Sequence, residues 1–191
     1  TSIDLPVCKI VGNEAFYKCS SLTSIDLPVC NEVGVSAFAY CSSLTSVNLP
    51  ACHLVEMSAF ANCKKLTSVN IDFCHEVGNY AFIECSALKS FDIPFCTLVG
   101  YWAFAYCSSL TSVNLQNCSF LYDAAFYSCS AFTTLYLSGV SSVTQLADSR
   151  AFSNCPALTS IYVPMSLVDA FKSATNWTYF SDKIVGWEET V

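Results

Sequence analysis

A pattern of 22 residues repeats through this chain, and no other feature constrains its fold as tightly. The stretch LTSIDLPVCNEVGVSAFAYCSS, from Leu22 to Ser43, returns at Leu44, Leu66, Leu88, Leu110 and Phe132. A fixed period of roughly 20 to 50 residues marks an array in which each repeat is one supersecondary unit stacked on the next. Ordering the backbone of one unit costs about 1 to 2 kcal/mol per residue. A single coil therefore cannot fold alone, and stability must come from strand pairing and burial shared between neighbours.

Within the unit, Leu22, Ile25 and Leu27 are followed by Cys30, and Ile25-Asp26-Leu27 alternates as a short strand does. Val33, Ala37, Phe38 and Cys41 then fall on one side of a helical turn or two. The expected fold class is α/β. It is a right-handed solenoid of about eight coils, with one parallel sheet, short helical or 3-10 turns opposite it, and a C-terminal helical cap. The solenoid should occupy residues 1–164 and the cap residues 165–191 of a single domain.

The form LTSIxLPxCxxVGxxAFxxCSS resembles the BspA-like leucine-rich repeats of bacterial surface proteins, also found in some parasitic protists. Its AFxxC element recurs at Ala15-Phe16, Ala37-Phe38, Ala59-Phe60, Ala81-Phe82, Ala103-Phe104, Ala125-Phe126 and Ala151-Phe152. The resemblance runs from Thr1 to about Pro164. It implies a secreted or cell-surface binding or adhesion protein without catalytic residues, recognising a host or bacterial macromolecule, either protein or glycan. A structural spacer displaying another domain is the alternative. The ending IYVPxxxVDAFKxATNWxxFxxKI resembles the C-terminal segment of the same proteins, read here as two short helices lying over the last coil. Asn176 or Thr175 is expected to cap the second of them.

Composition excludes several partners. A net charge of -7 without any cluster of Lys or Arg argues against nucleic acid, whose phosphates require a basic footprint. Anionic membrane is disfavoured for the same reason, and polar residues interrupt every repeat before a membrane-spanning apolar run develops. The first coil lacks its opening Leu and leaves the strand Ile3-Asp4-Leu5 at an open edge, so more chain is expected before Thr1. Coil seven carries four extra residues between Val143 and Phe152, expected to bulge as a loop around Gln145 to Arg150.

The 13 cysteines recur every 11 residues from Cys8 to Cys129, with a last one at Cys155. They form two columns, in which stacked side chains point in parallel rather than at each other. That favours free, buried thiols over disulfides. No C-x2-C spacing offers a zinc site. His53 and His75 share one position on adjacent coils, but two ligands without a third make a poor metal site. Asp4 and Asp26 share a flat column that does not wrap a calcium ion. Ser24, Asp26 and Pro28 recur on the outward strand positions and suit a polar ladder. Nothing suggests a cofactor or an enzyme, since no nucleophile elbow, phosphate loop or carboxylate pair is present.

What varies between coils is more informative. Coils four to six carry Tyr80, Tyr101, Trp102, Tyr106, Tyr122 and Tyr127, where coil three has Met57, Ser58 and Asn62. Exposed Tyr and Trp are hot-spot residues of protein interfaces and also form carbohydrate stacking surfaces. These six are the candidate partner-binding residues, with paving of neighbouring coils as the competing reading.

Overall fold

The computed structural model describes residues 1–188. Each coil supplies one three-residue strand to a first column. Ser2–Asp4, Ser24–Asp26, Ser46–Asn48 and Ser68–Asn70 form a four-stranded parallel sheet. Ser90–Asp92, Ser112–Asn114, Thr134–Tyr136 and Ser160–Pro164 continue the column in a five-stranded sheet completed by Ile184–Trp187. Pairs lie in register one repeat apart, as in Ile25↔Val47. Ile25, Leu27, Cys30, Val33, Phe38 and Cys41, together with their counterparts, fill one continuous core.

The column breaks between Asn70 and Ser90, where the coil that follows carries two departures from the repeat. Where other coils place Ile, Val or Leu, the fifth places Phe91, whose ring packs edge-on against both Phe82 and Phe104 at 4.8 and 4.9 Å. The expected polar ladder exists, with Asn48 donating to Asp26 at 2.9 Å, Asn70 to Asn48 at 2.8 Å and Asn114 to Asp92 at 2.8 Å. A carboxylate has no N–H to donate, so Asp92 begins a second ladder and leaves the Asn70 Oδ1 buried without a partner.

A second column differs from the expected helical turn. Ile10–Val11, Glu32–Val33, Leu54–Val55, Glu76–Val77, Leu98–Val99, Phe120–Leu121 and Gln145–Leu146 form an unbroken seven-stranded parallel sheet. Strands of two residues are too short to show an alternation in sequence. The third side of each coil is a stack of turns. Ala37 donates to Gly34 within its coil, and Phe38 donates to Ala59 of the next. Among the described residues, this side forms a regular 3-10 helix in one coil, at Ser149–Phe152 of coil seven, capped by Asp148, whose Oδ1 accepts from the Arg150 N–H at 2.8 Å.

The insertion in coil seven does not bulge from Gln145. Three of its residues precede Gln145–Leu146, which pairs in register with Phe120–Leu121, and one follows. The Arg150 guanidinium then ties this corner to Asp123 at 2.6 Å and to Asp148 at 3.2 Å.

At the C-terminal end, a 3-10 turn Met165–Leu167 runs into the helix Val168–Ser173, followed by a second 3-10 turn, Trp177–Phe180. Phe171 and Trp177 are fully buried against the last coil. Asn176 precedes the second turn without capping it, because its side chain donates to the Leu146 carbonyl at 2.8 Å. Ile184, which the spacing places with a helix, instead opens the strand Ile184–Trp187, parallel to Ser160–Pro164. The last residues of the expected cap, 189–191, lie outside the described residues. No helix among the described residues is long and apolar enough to cross a membrane.

All 13 cysteines are free thiols, and they do more than fill space. In one column each Sγ donates to the carbonyl two residues on, as Cys52 does to Leu54 at 3.3 Å. In the other, every one after Cys19 reaches a phenylalanine carbonyl of the preceding coil, as Cys63 does to Phe38 at 3.2 Å. Only Cys19 is exposed and Cys8 half-buried. A thiol reagent is therefore expected to modify Cys19 and Cys8 quickly in the native protein and all 13 thiols in denaturant. Fewer than 13 titratable thiols in freshly purified, denatured protein would show that disulfides form.

Candidate functional site

The stacked turns impose a left-handed backbone twice per coil. One position carries Glu14, Ser36, Ser58, Tyr80, Trp102 and Ala124, and the other Lys18, Tyr40, Asn62, Glu84, Tyr106, Ser128 and Asn154, with φ between 54° and 62° throughout. A residue with a Cβ pays roughly 1 to 2 kcal/mol for this conformation, and Asn tolerates it better than most. Tyr80, Trp102 and Tyr106 therefore stand where Ser or Asn suits the backbone better.

Five of the six candidate residues form one chain of ring contacts. Tyr80 meets Tyr101 edge-on at 5.6 Å, and Tyr101 lies 5.9 Å from Trp102. Trp102 stacks on Tyr127 at 5.0 Å and touches Tyr106 at 5.9 Å, and Tyr106 closes the set against Tyr127 at 5.6 Å. Tyr106 is exposed, whereas Tyr80, Tyr101, Trp102 and Tyr127 are half-buried. The rings thus pave their neighbours as well as facing outward. The Trp102 indole N–H is buried without an acceptor, as is Asp123 Oδ1 without a donor, each an uncompensated cost of about 1 to 3 kcal/mol. No tyrosine hydroxyl of the patch is hydrogen-bonded within the chain among the described residues.

Tyr122 separates from the patch. It packs on Phe120 at 4.6 Å and, with Tyr101, walls one end of an open groove of about 530 Å³ along the corner between the second strand column and the turns. Leu54, Glu56, Met57, Glu76, Asn79 and Leu98 supply much of the remaining lining. The corner is tight because the coils approach closely. A Cβ on Gly100 would lie 2.7 Å from the Asn79 nitrogen, and one on Gly78 2.8 Å from the Glu56 carbonyl carbon. Asn79 Oδ1 accepts the Tyr101 N–H at 2.8 Å and so fixes the ring that belongs to both patch and groove. Sequence reasoning missed this groove. Reading down the column Ile10, Glu32, Leu54, Glu76 and Leu98 would have found it, because those side chains vary while the neighbouring Val positions stay constant.

The other candidates stay apart from any site. His53 and His75 are exposed, 5.2 Å between ring centres, with His53 Nδ1 against the Phe73 carbonyl at 3.2 Å. Among the described residues no group of three or more His, Cys, Asp or Glu converges on a metal position. Asp4 and Asp26 pair in register as neighbours in the sheet. A second exposed aromatic pair, not singled out in sequence, is Phe73 and Phe95, stacked at 5.5 Å on the corner beyond the first strand column.

Comparison with known proteins agrees with this architecture. The BspA type leucine rich repeat region matches residues 1–98 and 54–178, in six copies. A leucine-rich repeat protein of T. pallidum is 28% identical and superposes with a TM-score of 0.72 over 82% of this chain and 74% of its own. A leucine-rich repeat protein from Bacteroides ovatus shares the fold at 20% identity and a TM-score of 0.59; 98% of this chain spans only 42% of that one. No protein of curated function matches. With the family pattern covering residues 1–178 of the 191, this chain belongs to the BspA-type leucine-rich repeat family.

Proposed function

We propose that this chain is a protein-binding module of a secreted or cell-surface protein and that the Tyr101, Trp102, Tyr106 and Tyr127 patch, with Tyr80 at its edge, is its docking face. Leucine-rich repeats are in general protein-interaction scaffolds without catalytic residues, which supports the class of function. The observation that carries the docking face is the convergence of Tyr101, Trp102, Tyr106 and Tyr127 in one ring cluster, with Trp102 and Tyr106 at left-handed positions that Ser58 and Asn62 fill in coil three. The patch suits a protein better than a glycan. Carbohydrate stacking needs an open ring face, whereas Trp102 is stacked by Tyr127 and flanked by Tyr101 and Tyr106. What remains outward is ring edge and hydroxyl, suited to a partner's side chains and backbone.

The test probes an array of extracellular proteins and glycans with the parent chain and with the double variant Tyr80→Asn/Tyr106→Asn. Asparagine relieves the left-handed strain, so the melting temperature is expected to hold or rise. Protein capture should fall by about 1 to 4 kcal/mol per true anchor. Capture that is unchanged, or confined to glycans, would refute the assignment.

A further inference from the structure

The outward position of the second strand column reads Ile10, Glu32, Leu54, Glu76 and Leu98, one residue per coil in parallel register. Acid and hydrocarbon alternate along the solenoid axis; Leu54, Glu76 and Leu98 of this row line the groove walled by Tyr101 and Tyr122, together with Glu56, and Glu32 stands one rung beyond its Leu54 end. Rungs lie about 4.8 Å apart, which places the Glu32 and Glu76 carboxylates about 9.6 Å apart with Leu54 between them. Neither carboxylate is neutralised. The ion pairs among the described residues use Glu84, Asp123, Asp148 and Asp182, and no Lys or Arg lines the groove.

We propose that this groove binds a polyproline II segment of a partner protein that carries Lys or Arg at every third position. The spacing selects the conformation. A polyproline II helix repeats every three residues with a rise of about 3.1 Å, so its equivalent side chains recur every ~9.3 Å. An extended strand repeats a face every ~6.7 Å, and an α-helix returns a residue to its face seven residues on, at ~10.5 Å, a poorer match than ~9.3 Å. Strand addition is closed to the ligand, because the main chain of the column is already paired to the adjoining coils. Paired bases would meet Glu76 in the groove and Glu32 just beyond its end, with Glu56 adding to the negative lining, and the prolines between and after them would rest on Leu54 and Leu98 beside the aromatic wall. The net charge of -7 draws a cationic segment in from a distance. The inference stands apart from the aromatic docking face, since only Tyr101 is common to both.

Two fluorescent peptides with equal numbers of lysines test it, one repeating Lys-Pro-Pro and one repeating Lys-Pro-Pro-Pro, titrated by anisotropy against the full chain. The three-residue repeat is expected to bind roughly tenfold more tightly than the four-residue repeat. It should lose roughly tenfold in affinity to Glu32→Gln/Glu76→Gln and weaken further with salt. Both substitutions are on the surface, and an unchanged circular dichroism spectrum and melting temperature confirm the fold. Tyr106→Asn should leave peptide binding as it is, which separates this site from the docking face. Equal affinity for the two spacings, indifference to the glutamine variant, or no binding of either peptide would overturn the proposal.

Discussion

Reduced protein brought from about pH 8 to about pH 10 is expected to unfold, because its interior thiols cannot ionise in place. Ten of them are raised: Cys30, Cys41, Cys52, Cys63, Cys74, Cys85, Cys96, Cys107 and Cys118 mainly by burial, and Cys129 first by its hydrogen bond with Cys155 and then by burial. Cys41 is pushed up to about 11, and Cys74, Cys96, Cys107 and Cys118 to about 12. Cys155 moves the other way through its hydrogen bond with Cys129. In the unfolded chain a thiol ionises near its ordinary value of about 8.5. Above that pH the unfolded state binds fewer protons than the folded one. The stabilisation is therefore whole below about pH 8.5 and is lost as pH climbs toward the folded values. One unit above the unfolded pKa, each buried thiol costs about 1.4 kcal/mol, and ten together match the roughly 5 to 15 kcal/mol that holds a typical domain. Far-ultraviolet circular dichroism should collapse together with the appearance of thiolate absorbance. A native spectrum persisting to about pH 11 would contradict this account of the columns.

Trp177→Ala is expected to cost about 3 to 5 kcal/mol and to lower the melting temperature by roughly 10 °C in a chain of this size. The indole is fully buried, packs edge-on against Phe171 at 5.2 Å, and lies 6.2 Å from Phe152 at the end of the phenylalanine stack. Its Nε1 donates to the Thr144 carbonyl at 2.7 Å, and the Thr144 hydroxyl in turn donates to the Cys118 carbonyl at 2.7 Å. Truncation therefore opens the last coil, leaves a buried carbonyl unpaired and exposes apolar surface that invites aggregation. Thermal unfolding followed by light scattering checks this. A variant melting with the parent and staying monomeric would mean that the C-terminal segment does not close the array.

The sequence made the period, the core positions and the free thiols readable because each coil repeats the same apolar spacing. Leu22, Ile25, Leu27, Val33, Phe38 and Cys41 are all buried, as the pattern requires. Three features were hidden for different reasons. The second column consists of two-residue strands, too short for a period to register. The break at Asn70, where Phe91 and Asp92 follow in the next coil and leave Asn70 Oδ1 unpaired, has no counterpart in the repeat spacing. The strand Ile184–Trp187 shares spacing with the helical residues before it, and only pairing with Ser160–Pro164 reveals it. Of the candidate binding residues, the sequence supplied the aromatic identities. Their left-handed backbone, and the division between the ring chain and the groove at Tyr122, come from coil geometry.

The docking face is tested most directly by oxidative footprinting of the chain with and without a protein captured from the array. Two aromatic surfaces compete for that partner: Trp102, Tyr106 and Tyr127 on the turn side, and the exposed Phe73 and Phe95 pair beyond the first strand column. Complex formation is expected to shield Trp102, Tyr106 and Tyr127 from oxidation while Phe73 and Phe95 react as in the free chain. Protection of Phe73 and Phe95, with Tyr106 and Tyr127 still fully reactive, would contradict the assignment.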